Sequence, residues 1–214
     1  MTLALVAALV PNSAEARQRR GIRADANPSA LIATELAFAR EAGEKGQWTA
    51  FHDYAADNAV MFVPQQVAAN DWLKKRANPP QAVTWEPHAV WMSCDGTLGV
   101  TKGAWQRLDG TSGYFTTVWR KQKNGAYKWE LDQGDALAQP LAAPEMISGD
   151  VADCSRASPP EIPAAAGRTV GWSDDKTLQW IVEVKPDNSR SFKVNRWTGR
   201  GYQEVLRSDV AAAK

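Results

Sequence analysis

Residues 114–133 read YFTTVWRKQKNGAYKWELDQ, and this stretch decides the fold. Tyr114 to Lys121 is a run of β-branched, aromatic and long residues, Asn124-Gly125 is a strong hairpin turn, and Ala126 to Gln133 returns. In the returning half Tyr127, Trp129 and Leu131 alternate with Lys128, Glu130 and Asp132. That period of two predicts a strand with one apolar and one polar face. Upstream, Val83 to Cys94 and Leu98 to Arg107 are two more extended runs joined at Asp95-Gly96, and Asp109-Gly110 with Ser112-Gly113 makes the next loop. Four strands in succession make an antiparallel meander.

Before Val83 the period is 3.6. Asn27-Pro28 starts a helix, since Asn caps the orphan amides and Pro loses nothing at the first helical position. Leu31, Ile32, Glu35, Leu36, Phe38 and Ala39 continue it until Gly43 and Gly46. A second helix covers Gln47 to Tyr54, with Trp48, Phe51 and Tyr54 on one side. Asn58 to Val63 is a short strand, and a third helix runs from Asp71 to Arg76 with Asn70 as its cap. The expected architecture is α+β, with three N-terminal helices packed on a curved antiparallel sheet. Beyond residue 138 an Ala/Pro-rich linker covers 139–168, and a three-stranded β meander follows over 169–210, with Leu178, Trp180, Val182 and Val184 on one strand face.

The chain has 214 residues, 25 Lys+Arg and 24 Asp+Glu. A net charge of +1 lacks the basic face that nucleic acid requires, so no nucleic-acid partner is expected. Ten Trp against five Phe and four Tyr is the unusual number, and Trp suits cores, aromatic cavities and interfaces. Leu3 to Val10 is apolar and Ala14-Glu15-Ala16 follows, which reads as a signal peptide over 1–16 cleaved after Ala16, although only Met1 and Thr2 precede the run; the alternative is a buried helix. Residues 17–27 would then be a flexible basic N-terminus, and no later segment approaches membrane-spanning length. Cys94 and Cys154 form no metal-ligand pattern. In the periplasm or outside the cell they read as one disulfide, the alternative being two buried thiols.

The order helix–helix–strand–helix followed by four strands resembles the nuclear transport factor 2-like (NTF2-like) superfamily, in its SnoaL-like and DUF4440 branches. The carrying residues are 35–39 (ELAFA), 46–51 (GQWTAF), 56–60 (ADNAV), Val118-Trp119-Arg120 and 124–129 (NGAYKW), within about 28–138. The resemblance implies a cone whose sheet curls round the helices, a pocket at its open end, and a homodimer. It leaves the chemistry open, because such cones host isomerases, dehydratases and plain binding proteins; no cofactor and no metal are expected.

For isomerase-type chemistry the pocket needs a carboxylate base and a donor for the enolate. Asp53, Asp57, Asp132 and Asp135 are the candidate bases, with Asp57 and Asp132 preferred, and Tyr54 or Tyr114 is the donor. Asp57 reads equally as a turn residue and Tyr54 as core. A dehydratase would use His52 or His88, but the stretch Leu131-Asp132-Gln133-Gly134-Asp135 carries no His. No G-x-S-x-G elbow or phosphate-cradling Gly loop occurs. The expected ligand pocket is Trp85, His88, Trp91, Trp105, Tyr114, Thr116, Trp129 and Gln133, suited to a small hydrophobic or aromatic ligand. Trp85 and Trp91 would share a face in an uninterrupted strand, which Pro87 puts in question. Non-catalytic ligand binding is the first reading, and a ketosteroid-isomerase type of isomerase or dehydratase is the alternative; a carboxylate buried against Trp would favour the second. A third option is partner recruitment at a strand edge of the terminal meander.

Overall fold

The computed structural model describes residues 25–212; the expected signal peptide and most of the basic N-terminus lie outside them. Helix α1 spans Pro28–Lys45, and the Asn27 side chain accepts from Ala30 N as expected of its cap. Helix α2 follows at Gln47–Tyr54 and runs directly into strand β1, Ala55–Phe62. A strand β2, Gln66–Ala68, then leads into α3, Ala69–Leu73. Asn70 does not cap α3 but sits inside it, donating through Nδ2 to the carbonyls of Ala56 and Asp57. The four long strands are β3 (Thr84–Met92), β4 (Leu98–Gln106), β5 (Ser112–Lys121) and β6 (Tyr127–Leu137).

These strands belong to a seven-stranded sheet ordered β2-β1-β6-β5-β4-β3-β7. Strand β7, Ser148–Val151, lies in the expected linker and pairs in parallel with Ala89–Met92 of β3. β1 also pairs in parallel, with β6, so the sheet is mixed rather than purely antiparallel. The terminal meander has four strands, not three: β8 (Arg168–Trp172), β9 (Leu178–Val184), β10 (Arg190–Trp197) and β11 (Tyr202–Val210) form their own antiparallel sheet.

Helices cover one face of the large sheet and the second sheet covers the other. On the helix side Leu31, Phe38, Ala50, Met61, Val90, Trp119 and Trp129 form one buried cluster. On the outer side Leu98, Val100, Val118 and Leu131 pack against Leu178, Val182, Phe192, Val194 and Leu206 of the second sheet. Each large side chain buried there contributes about 1.5–3 kcal/mol. Of the three Trp in the terminal meander, only Trp180 is in this cluster; Trp172 and Trp197 instead pack on Tyr202, at centroid distances of 5.6 and 5.2 Å. The Cys94–Cys154 disulfide ties the linker to the β3–β4 turn.

The sheets are also joined turn to turn. Ser93-Cys94-Asp95-Gly96-Thr97-Leu98 and Ser173-Asp174-Asp175-Lys176-Thr177-Leu178 share the pattern S-x-D-x-T-L. Each Ser hydroxyl donates to its own turn's Asp at 2.7 Å. Asp95 N donates to Asp175 Oδ2, and Asp175 N to Asp95 Oδ2, both at 2.9 Å. Cys94 N donates to Thr177 Oγ1 and Asp174 N to Thr97 Oγ1, completing a reciprocal clasp.

Two bulges set which side chains face the helices. Between Pro87 and Ala89 the β3–β4 register slips, leaving His88 as the extra residue. Because side chains alternate along a strand, one extra residue reverses every later one. Trp85 therefore packs with the helices and Trp91 with the second sheet, on opposite faces. The β5–β6 register slips likewise, Trp119 facing Trp129 and Val118 facing Leu131, which makes Glu130 the extra residue. Trp129 is then on the helix side and Leu131 on the outer side, correcting the expected simple alternation. The residue next to Leu131, Asp132, is thereby turned inward.

Candidate functional site

A cavity of about 240 Å³ lies at the open end of the helix-filled concavity. Its apolar wall includes Phe38, Trp48, Phe51, Trp85, Trp105 and Phe115, and its polar lining includes Gln47, Arg107, Thr117, Asp132, Gln133 and Asp135. The aromatic rings brace one another: Phe38 lies 4.8 Å from both Phe51 and Trp85 by centroid, edge to face. Such contacts add to plain burial and fix the wall's shape.

Asp132 is the carboxyl in this wall that burial perturbs most. Its Oδ2 accepts from the Thr117 hydroxyl at 2.8 Å. Burial pushes its pKa up to about 7; the Glu35 charge pushes the same way, while the Thr117 bond and the Arg190 charge oppose the rise. A carboxyl so placed is present in both protonation states near neutral pH, and can accept or donate.

Glu35, on the face of α1 that meets the sheet, is fully buried. Its Oε1 accepts from Trp85 Nε1 at 2.8 Å, and its Oε2 from Thr101 Oγ1 at 2.7 Å and Trp119 Nε1 at 3.0 Å. Burial raises its pKa despite these three donors. Trp85 thus has one side in the cavity wall and its N–H anchored on Glu35 behind it. Gln47 is fixed as well: Val83 N donates to its Oε1 at 3.1 Å, which leaves Nε2 as a donor toward the cavity.

Of the expected pocket residues, Trp85, Trp105, Tyr114 and Gln133 line the cavity, and so do Asp132 and Asp135. The others lie elsewhere. Trp129 is in the helix-side core with its N–H on the Phe51 carbonyl. Trp91 faces the second sheet because of the His88 bulge, and His88 itself lies 3.8 Å from Glu86, outside the cavity lining. Thr116 is fully buried and, by strand parity with Val118, turned outward. Asp57 is exposed on β1, outside the cavity. Tyr54 packs its ring on Phe38 at 4.9 Å as part of the core. Sequence reasoning missed Phe38, Gln47, Phe115 and Thr117 as lining, and Glu35 behind it. The signal for Glu35 was a carboxylate in the apolar stripe of α1; Phe115 and Thr117 have the opposite parity to the residues chosen on β5. Among the described residues no three His, Cys, Asp or Glu come together as a metal site.

No family model and no curated protein matches the sequence. Similar solved structures include a candidate ketosteroid isomerase from Parabacteroides distasonis, 11% identical, with 53% of this chain and 90% of that one covered at a TM-score of 0.43. A protein of unknown function with a cystatin-like fold from Methylobium petroleophilum is 10% identical, over 65% of this chain and 99% of its own, at 0.37. An NTF2-like protein of unknown function from Mesorhizobium loti is 14% identical, over 53% and 96%, at 0.34. Likenesses this distant carry no chemistry, and the fold rests on the strand order and on the helices seated in the sheet's concave face. On those grounds residues 28–137 have the nuclear transport factor 2-like fold, to which this chain adds a second, four-stranded sheet.

Proposed function

We propose that this chain binds a small, flat apolar or aromatic molecule in the cavity between its helices and sheet. The observation that carries this reading is a cavity walled on one side by aromatic rings, with the buried carboxyl of Asp132 among its few polar groups. Drug-sized ligands occupy roughly 300–1,000 Å³, so a cavity of about 240 Å³ suits a molecule of one or two rings. Trp85, Phe115 and Phe51 supply the apolar contact, while Asp132 and Gln47 select a ligand that carries a polar group. The Cys94–Cys154 bridge fits an oxidising compartment and so supports export. A homodimer would use a surface other than the outer face of the large sheet, which β8–β11 cover.

The raised pKa of Asp132 favours a second reading on the same site, proton transfer at carbon. Ionised Asp132 would take a proton from a carbon next to a carbonyl, and the C–H electron pair would move onto the carbonyl oxygen as an enolate. Gln47 Nε2 is a donor available to that oxygen. Returning the proton to a different carbon completes an isomerisation; expelling a β-hydroxyl as water completes a dehydration instead.

The test is binding of 2-naphthol by native mass spectrometry and by Trp fluorescence. Wild type is expected to form a one-to-one complex that Phe115→Trp, which fills the cavity, abolishes. Binding unchanged by that substitution would overturn the site. For the catalytic reading, exchange of the α-protons of 2-tetralone in D₂O is followed by NMR. Exchange accelerated by wild type and lost in Asp132→Asn supports it; equal rates would remove it and leave binding alone.

A further inference from the structure

The second sheet packs on the outer face of the cone, yet one of its side chains reaches the cavity wall. Arg190, the first residue of β10, is only 5% exposed. Its Nε donates to Gln133 Oε1 at 3.3 Å, and its terminal nitrogen to the Gly134 carbonyl at 2.6 Å. The guanidinium carbon sits 4.5 Å from the centre of the Phe62 ring. Gln133, Gly134 and Phe62 all line the cavity, and the first two directly follow Asp132 in β6. Gln133 is held from the same side by Ser208 of β11, to which its Nε2 donates at 2.9 Å. A second-sheet cation therefore grips three residues of the wall, two of them on the strand that carries the cavity carboxyl.

These partners are neutral: an amide oxygen, a peptide carbonyl and a ring face. A buried charge without an opposite charge against it acts at a distance on whatever titratable groups lie nearest, because the interior screens it weakly. The groups that bear on Asp132 come from three elements. Glu35 on α1 opposes its ionisation, Thr117 on β5 supports it through a hydrogen bond, and Arg190 on β10 supports it through charge. Tyr114 and Asp135 are the other titratable groups whose charge Arg190 feels.

We propose that Arg190 is a positioning residue of the cavity, through which the second sheet pins Phe62, Gln133 and Gly134 and keeps a positive charge behind Asp132. The proposal rests on the cavity reading above, and it gives the added sheet a part in the site as well as in stability. Its chemistry is specific to Arg. The planar fork reaches an amide oxygen and a carbonyl while stacking on a ring, which an ammonium group cannot reproduce.

The experiment is a pH titration of the Asp132 carboxyl carbon by ¹³C NMR on the full chain, the signal being assigned by its loss in Asp132→Asn. Arg190→Met and Arg190→Gln are expected to move the midpoint upward from the wild-type value. Arg190→Lys, which keeps the charge but not the fork, is expected to leave the midpoint near wild type and to weaken 2-naphthol binding several-fold. An unchanged midpoint in the neutral variants, or an equal shift in the Lys variant, would overturn the proposal. Gln and Lys can each still bond the Gly134 carbonyl, so the comparison holds even if the Met variant does not fold. The titration needs no ligand, so failure of 2-naphthol to bind wild type would strike the binding reading and leave the coupling to be read directly.

Discussion

Replacing Asp132 by Asn should make the protein more stable at alkaline pH and leave it nearly unchanged in acid. An unfolded Asp titrates near 3.9, whereas burial in the cavity pushes Asp132 up to about 7. Below about pH 4 the carboxyl is protonated in both states and costs nothing. Between these values the folded state holds a proton that the unfolded state has released, so stability falls as pH rises. Above 7 both forms are ionised and the folded state carries the whole penalty. About three pH units at 1.36 kcal/mol each give about 4 kcal/mol as the upper bound, reduced by whatever water enters the cavity to solvate the carboxylate. Asn has a similar shape and its oxygen still accepts from Thr117, so the substitution removes mainly the charge. Glu35, whose pKa is raised in the same direction, is present in both proteins and largely cancels. Urea unfolding of both proteins at intervals from pH 5 to 9 reads the difference. The curves should diverge as pH rises toward 8, with the Asn variant the more stable. Parallel curves would mean that Asp132 titrates as an ordinary surface carboxyl, and the cavity chemistry built on it would fall.

Glu35→Ala should destabilise by about 3–5 kcal/mol, because it strands the buried donors of Trp85, Thr101 and Trp119; urea unfolding at pH 7 checks it, and a loss under 1 kcal/mol would contradict it. Asp175→Ala removes the acceptor of Asp95 N and Thr177 N in the clasp, so a loss of about 2–4 kcal/mol is expected by the same assay, matched by a similar loss in Asp95→Ala. Reducing the Cys94–Cys154 bridge, which spans 60 residues, should lower stability by about 4 kcal/mol in the chain-entropy account; unfolding with and without reductant measures it. Trp105→Ala should weaken 2-naphthol binding with little change in the unfolding midpoint, since Trp105 is only half-buried and lines the cavity.

Much of the cone was legible because its signals are local. Asn27-Pro28 and the Asn124-Gly125 turn each act within a few residues and do what their chemistry predicts, and the stripe of α1 holds at Leu31, Glu35 and Phe38 but not at Leu36, which is exposed. The disulfide was legible from the even cysteine count taken with the expectation of export. What the sequence hid depends on register. Nothing in a period-two pattern announces that His88 or Glu130 is an extra residue, yet those two bulges decide that Trp91 leaves the cavity side and Asp132 enters it. Pro87 marked the first bulge, since it has no N–H for the ladder. For the second, the trace was Glu130 itself: its carboxylate turns outward to Trp180 and Arg120. The short strands β2 and β7 were missed because three or four residues paired at an edge carry no periodicity of their own. The clasp left a trace that went unread, the S-x-D-x-T-L pattern repeated 80 residues apart. Even read, it would not have given the pairing in space, because a repeat does not reveal that its copies touch.

The most direct measurement is a crystal structure of the protein grown with 2-naphthol. One naphthol is expected in the cavity, its rings between Trp85 and Phe115 and its oxygen within hydrogen-bonding distance of Asp132. Naphthol bound only elsewhere on the surface, or a cavity closed over water with Asp132 turned away, would contradict it.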